Sequence, residues 1–345
     1  MSENNLILYV PNVHTGGGLI LLQALLSGWD SKKPLVAILD IRAQNELFVP
    51  SLAKITWVYP NIISRLRAEY YLSSVSSRGD LILCFHGLPP IFRSWGKVVI
   101  FLQNRLYLDA KLPLGYAFKT RLRLMAERCV SRLFRNRVSE YIVQTPSMKR
   151  SLLKWLEVNS TRKPPAIRIL PFAENQIDAV SSRQPPRWDF VYVADGEAHK
   201  NHLNLIAAWR ILAEEGLRPS LVLTLNNRDA LLKSAVDEAC RDDNLKIINL
   251  GEISRNEILS LYLTSRALVY PSRAESFGLP LLEAKNVGLP IIASELDYVR
   301  DICEPVQTFD HQSPVSIARA VKRFLKHAEP VLQIYSPEEF WTSLL

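Results

Sequence analysis

Three observations predict an α/β fold of two doubly wound domains. Short apolar runs are bounded by turn residues, helical stretches alternate with them, and the composition breaks near mid-chain. Leu6-Ile-Leu-Tyr-Val10 reads as the first strand, and the run Leu19 to Leu26 as the helix that follows it. Further strands fall at Leu35 to Leu39, Leu81 to Phe85, Val98 to Leu102 and Tyr141 to Val143. Thr145 and Pro146 form an N-cap and first helical position, opening a helix to about Trp155, and Ile167 to Leu170 reads as a strand. The segment Ser181-Ser-Arg-Gln-Pro-Pro-Arg187 is the best linker. After it the rhythm restarts with a strand at Phe190 to Val193, a helix over Leu203 to Leu212, and strands at Leu221 to Leu225 and Ile247 to Leu250. Ser336 and Pro337 read as an N-cap and first helical position, opening a closing helix with Trp341. The expected domains are 1–183 and 184–330, with 331–345 as the closing helix.

Composition narrows the function classes. The 345 residues fit about two domains, and 42 basic against 34 acidic residues give a net charge of +8. Nucleic acid is the competing partner for a basic chain, but no recognition motif or basic-aromatic interleaving supports it. Cys84, Cys129, Cys240 and Cys303 have no paired or metal-ligand spacing, so they read as buried core thiols in a reducing compartment. No apolar run reaches the length of a membrane span, and Met1-Ser-Glu-Asn-Asn lacks a basic n-region. The expectation is a cytoplasmic protein, at most peripheral at the inner face of a membrane.

The densest chemistry lies in Tyr270-Pro-Ser-Arg-Ala-Glu-Ser-Phe-Gly-Leu-Pro-Leu-Leu-Glu283. Ala267 to Tyr270 reads as a buried strand, Gly278 as a helix boundary, and Pro280 to about Val287 as a short helix ended by Gly288 and Pro290. Free N–H groups of Phe277, Gly278 and Leu279 at that helix start would attract an anion such as a diphosphate. Glu275 and Glu283 would repel a diphosphate on contact, so hydroxyl groups on either side of it are their expected partners. A nucleotide sugar offers both sets. The plainer reading is two solvated acids near a helix N-terminus. The strand before them and the Phe-Gly-Leu-Pro insert favour the site.

The run Glu275-Ser-Phe-Gly-Leu-Pro-Leu-Leu-Glu283-Ala, followed by Gly288-Leu-Pro-Ile-Ile-Ala-Ser294, resembles the signature of family 4 (group 1) retaining glycosyltransferases. The resemblance implies the GT-B fold, two Rossmann-like domains facing a central cleft. It places Glu275 against the donor sugar and Glu283 against the ribose, with Ser276, Phe277, Gly278 and Leu279 around sugar and phosphate. Lys200, in the loop Ala194-Asp-Gly-Glu-Ala-His-Lys-Asn201, would neutralise the leaving diphosphate. The family usually adds an arginine about half a dozen residues earlier, where Ala194 and Asp195 stand here. Arg273, Arg228 or His199 are the candidates to replace it. No Asp-x-Asp element for Mg or Mn is present, so no metal and no cofactor beyond the nucleotide sugar are expected. Same-face attack by the acceptor is what the family implies.

The N-terminal half supplies the other wall. Gly16-Gly-Gly18 resembles the glycine loop of a GT-B N-terminal domain, which puts Gly17 and Gly18 at the donor; a tight turn alone would also use glycine. His86 and Asn104, after two strand ends, fall on the acceptor side, although relatives often carry histidine where Gln103 or Asn104 stands. His86 also has a plainer reading as a hydrogen-bonded structural residue. Residues 119–137 form a basic helix with Leu122, Ala126, Cys129, Val130 and Leu133 on one face. That helix either packs on the core with a solvated basic side or lies against anionic lipid. The expected activity is hexosyl transfer from a UDP- or GDP-linked sugar to a lipopolysaccharide, O-antigen or exopolysaccharide precursor. A non-catalytic sugar-binding or scaffold subunit and a nucleotide-sugar epimerase of the same fold are the alternatives. The loop Gly251-Glu-Ile-Ser254 would lie near the nucleotide base by the same resemblance.

Overall fold

The computed structural model describes residues 5–30, 32–108, 116, 118–159, 165–173, 185–327, 334 and 336–344. Two parallel sheets are present, each built from β-α-β units. The first comprises β1 (Leu6–Val10), α1 (Gly16–Ser27), β2 (Leu35–Asp40), β3 (Ala53–Val58), α2 (Ile62–Val75), β4 (Leu81–Cys84), β5 (Lys97–Phe101), α3 (Phe118–Phe134), β6 (Glu140–Val143), α4 (Pro146–Asn159) and β7 (Ala166–Ile169). Its strand order is β3-β2-β1-β4-β5-β6-β7. Leu6 pairs in parallel with both Leu35 and Leu81, so the chain direction across the sheet reverses between β1 and β4.

The second sheet lies in the C-terminal half of the chain. It comprises β8 (Trp188–Tyr192), α5 (His202–Glu214), β9 (Leu221–Leu223), α6 (Ala230–Asp242), β10 (Ile247–Asn249), α7 (Arg255–Leu263), β11 (Ser265–Tyr270), α8 (Leu279–Asn286), β12 (Ile291–Ser294), α9 (Asp297–Arg300), β13 (Gln307–Phe309) and α10 (Pro314–Phe324). Its order is β10-β9-β8-β11-β12-β13, so its reversal lies between β8 and β11. In open parallel sheets, ligands settle outside the carboxyl ends of the strands at such a reversal. The loops after β1, β4, β8 and β11 are therefore the ones to read for function.

The strands are apolar because both faces are covered. In the first domain one face carries Ile7, Ile38, Ile82 and Ile100 under α2, α3 and α4, and the other carries Leu8, Leu39 and Phe85 under α1. The second domain has one cluster around Phe190, Trp209 and Tyr270, with the Trp209 indole donating to the carbonyl of Pro219 at 2.9 Å. Two expectations needed correction. Cys129 is exposed, unlike buried Cys84 and Cys303. On α3 the buried side chains are Leu124 and Ser131, whereas Leu122, Ala126, Cys129 and Leu133 face outward.

The boundary proposed at 183/184 lies outside the described residues, as do Ser181 to Gln184 of the linker. The closing helix α11 (Pro337–Leu344) starts with Ser336 and Glu339 hydrogen-bonded to each other's backbone N–H groups. The side chains on which its packing depends, Phe340 and Trp341, lie outside the described set. Among the described residues no helix is long and apolar enough to cross a membrane.

Candidate functional site

The loops after β8 and β11 meet because those strands are neighbours. Lys200 comes from the first and Glu275 from the second, and their side chains pair at 2.8 Å with only 16% and 11% of each exposed. Glu275 Oε1 also accepts from the hydroxyls of Ser272, at 2.7 Å, and Tyr270, at 3.0 Å. Three donors on one oxygen fix the carboxylate, and no described residue donates to Oε2. Burial opposes ionisation of Glu275, but Lys200 and the hydrogen bonds hold its pKa below the usual carboxylate value. Burial likewise opposes the charge on Lys200, and Glu275 and Asp195 hold its pKa above the usual lysine value. Both groups are ionised at neutral pH.

Gly278 caps α8 with φ 80°, a left-handed conformation that glycine adopts without penalty. Leu281 donates back to the Gly278 carbonyl at 2.9 Å, while no described residue accepts from the N–H of Phe277, Gly278 or Leu279. These donors and the helix dipole are free for an anion. Ser276 is tied by its carbonyl, which accepts from Thr145 of the first domain at 3.3 Å. Glu283 lies one turn into α8, its Oε2 accepting from the Tyr262 hydroxyl at 3.1 Å, with burial raising its pKa.

Asn201 was not singled out in the sequence, yet it holds three loops together. It adopts φ 65° at the start of α5, and its amide donates to the carbonyls of Pro271 and His311. Its carbonyl accepts from both Arg273 Nε and Nη2, at 2.9 and 2.7 Å. Arg273 is thereby held as a strut. His199 accepts or donates at 2.7 Å with the Tyr116 hydroxyl of the first domain, and burial beside Lys200 pushes its pKa down to about 4. It carries no charge at neutral pH. Arg228 is the third residue named as a candidate for the second cation. Its neighbour Asp229 accepts from the Gly196 N–H at 3.0 Å, and Arg228 itself lies close enough to lower the pKa of His14. Arg228 thus sits where the loops after β1, β8 and β9 converge.

The first domain meets this site through its glycine loop. A Cβ on Gly17 would stand 3.2 Å from Leu279 Cδ1, and one on Gly18 would stand 3.2 Å from Gln103 Oε1. Leu279 packs into the apolar cluster under α1. His86 Nδ1 lies 3.3 Å from the Tyr9 carbonyl, and burial pushes its pKa down to about 4. Asn104 Oδ1 accepts from the Leu106 N–H at 3.0 Å, so its side chain caps a short turn at the carboxyl end of β5. Gly251 and Glu252 line a groove with Asn226 to Arg228, next to the same loops. Among the described residues no group of histidine, cysteine or acidic side chains is arranged to hold a metal ion.

A family model described as Glycosyl transferases group 1 matches residues 174–335, the segment that holds Lys200, Glu275 and α8. Over that segment, a little under half of its length, the chain is similar to the group 1 glycosyltransferases. Sequence relatives agree with that likeness. The serotype-specific mannosyltransferase WbdA of Escherichia coli is 32% identical over 140 residues, which cover 39% of this chain and 17% of that protein. The O-antigen chain mannosyltransferase RfbU of Salmonella typhimurium is 24% identical over 225 residues, 64% of this chain and 58% of RfbU. The chain therefore spans less than two thirds of the length of either relative. Among solved structures, Anabaena HepE, in complex with UDP and glucose, superposes with a TM-score of 0.68 at 15% identity, over 94% of this chain and 90% of HepE. The lipopolysaccharide outer core galactosyltransferase WaaB, in its apo form, gives 0.60 at 14% identity over the same shares. At such identities the likeness is one of fold, and that fold is GT-B.

Proposed function

We propose that the chain is a retaining, metal-independent hexosyltransferase that moves a sugar from a UDP- or GDP-linked donor to a lipid-linked glycan precursor of the lipopolysaccharide, O-antigen or exopolysaccharide type. The observation that carries this reading is the Glu275 carboxylate, held by three donors on Oε1 with Oε2 open, beside the open N–H groups of α8. In this reading Oε2 accepts from a donor-sugar hydroxyl, the α8 N-terminus takes the diphosphate, and Glu283 takes the ribose through the oxygen not used by Tyr262. Lys200, oriented by Glu275, neutralises charge as the glycosyl bond breaks, a fixed electrostatic contribution. Arg228 supplies the second positive charge. Gly17 and Gly18 let the backbone approach the donor, and His86 and Asn104 line the acceptor side. The leaving phosphate takes the proton of the attacking hydroxyl. Residues 119–137 hold the enzyme at the cytoplasmic face of a membrane, and the outward side of α3 supports that contact.

A non-catalytic GT-B subunit is the second reading. Asp195 and Glu197 flank a lysine that Glu275 already neutralises, which makes the loop after β8 poor in free positive charge. Titration with UDP- and GDP-sugars followed by product detection with a lipid-linked acceptor separates the two. Lys200→Ala should lower turnover more than donor binding, and Glu283→Ala should weaken nucleotide binding. Full activity in both variants would sink the site assignment, and donor binding without transfer across the whole panel would favour the subunit.

A further inference from the structure

We infer that the first domain docks on an anionic bilayer through a two-helix face, in which α2 and the loop 91–95 act together with α3. This rests on the membrane contact proposed above and extends it to a helix that no sequence motif marks. On α2 the side chains of Ile62, Ile63, Leu66 and Tyr70 are between 44% and 78% exposed, while the inward side carries Ala68, Glu69 and Leu72. The outward residues fall at i, i+1, i+4 and i+8, the spacing of an amphipathic stripe turned away from its own core. The helix α3 repeats the pattern with exposed Phe118, Leu122, Met125 and Leu133.

The two stripes belong to one face. Ala68 and Leu72 of α2 and Leu124 of α3 enter the same core cluster, which places both helices on the same side of the sheet. The loop 91–95 lies between them. Glu69 accepts from the Ile91 and Phe92 N–H groups, Ser73 donates to the Arg93 carbonyl, and Arg137, just past α3, donates to the carbonyl of Pro90. That loop adds exposed Phe92 and Trp95, with Arg93 over the Trp95 ring at 5.2 Å.

Charge selects the occupant. Arg65, Arg67, Arg78 and Arg93 are exposed around α2, and α3 carries four more exposed cations. The acids of these segments are Glu69, buried under the Tyr9 hydroxyl, and Glu127, which is 15% exposed at its side chain and faces Arg123. A surface of one sign repels its own copy in a two-fold contact. Aliphatic residues ringed by arginine, tryptophan and tyrosine instead match the headgroup region of an anionic bilayer.

The test is co-sedimentation of the full chain with vesicles of phosphatidylcholine containing phosphatidylglycerol, against pure phosphatidylcholine. The wild type should bind the anionic vesicles only. The pair Leu66→Ser and Tyr70→Ser should lower that binding by roughly tenfold, as should the α3 pair Leu122→Ser and Met125→Ser, with UDP binding unchanged. Arg65→Gln and Arg67→Gln should each cost about fivefold, and the loss should shrink at high salt. Wild-type binding by the α2 variants, with loss in the α3 variants, would overturn the two-helix face and leave the α3 contact standing. No binding by the wild type would overturn both, and a wild-type dimer in light scattering that the α2 pair converts to monomer would assign the face to self-association.

Discussion

Glu275 and Lys200 stand 75 residues apart, and the sequence singles out each of them but not their pairing. A run such as Glu275-Ser-Phe-Gly-Leu-Pro announces a helix start with an acid before it, but which cation reaches that acid depends on two strands being neighbours. Glu275→Gln keeps the shape and removes the charge, so turnover should fall by about a hundredfold or more, since electrostatic orientation is lost. The same variant should lower stability by about 1–3 kcal/mol, because Lys200 loses the carboxylate it is paired with; chemical denaturation beside single-turnover kinetics reads both. Gly196 gives a second expectation. A Cβ there would come within 2.4 Å of Asp229 Cγ, and Asp229 is held by its bond to the Gly196 N–H. Gly196→Ala should therefore cost about 1–3 kcal/mol and displace Arg228, weakening binding of UDP or GDP more than that of the bare nucleoside. Equal loss for both ligands would sink the role given to Arg228.

Among elements, strands with continuous apolar runs were readable, since burial on both faces dictates their composition. The strand β3, Ala53-Lys-Ile-Thr-Trp-Val58, passed unmarked because it is a sheet edge with polar residues, and β13 is only three residues long. The apolar face of α3 was found by periodicity, which cannot say whether a stripe points into the core or away from it. Helix α5 carries a further consequence. His202 is buried against the Tyr192 ring, both its ring nitrogens lack partners among the described residues, and burial pushes its pKa down to about 3. His86 and His199 are pushed down to about 4 by burial first. A histidine with a folded pKa below its unfolded value of 6.5 binds its proton more readily in the unfolded chain. Stability should therefore fall as pH drops below 6.5 and level off only near the folded pKa values of about 4 and 3. Urea midpoints measured across that range should show this slope, and His202→Leu should flatten it. The Lys200–Glu275 pair does not contribute to the slope above pH 4.5, the ordinary carboxylate value, because its acid pKa lies lower still.

For the whole molecule, polar contacts among the described residues join the two domains at several points. Tyr116 meets His199, Thr145 meets the Ser276 carbonyl, the Ser147 N–H donates to Asp301 at 2.8 Å, and Arg150 pairs with Asp297 at 2.9 Å. Exposed pairs such as the last contribute little, so relative motion of the domains is cheap. Tyr116→Phe removes the hydroxyl that touches His199 in the loop after β8. It should change kcat and KM together, as a closure defect does, with the thermal unfolding midpoint almost unmoved; a change in kcat alone would assign Tyr116 to chemistry instead.

A Cβ at position 17 would meet Leu279 Cδ1 at 3.2 Å across the two domains, closer than an ordinary contact. The hydrogen in place of a side chain at position 17 works as a missing doorstop. Alanine, valine and leucine installed there in turn would wedge the jaws open by rising increments. Spin labels placed across the gap would read the aperture, and the series would show how wide the mouth can stand before the proposed transfer fails.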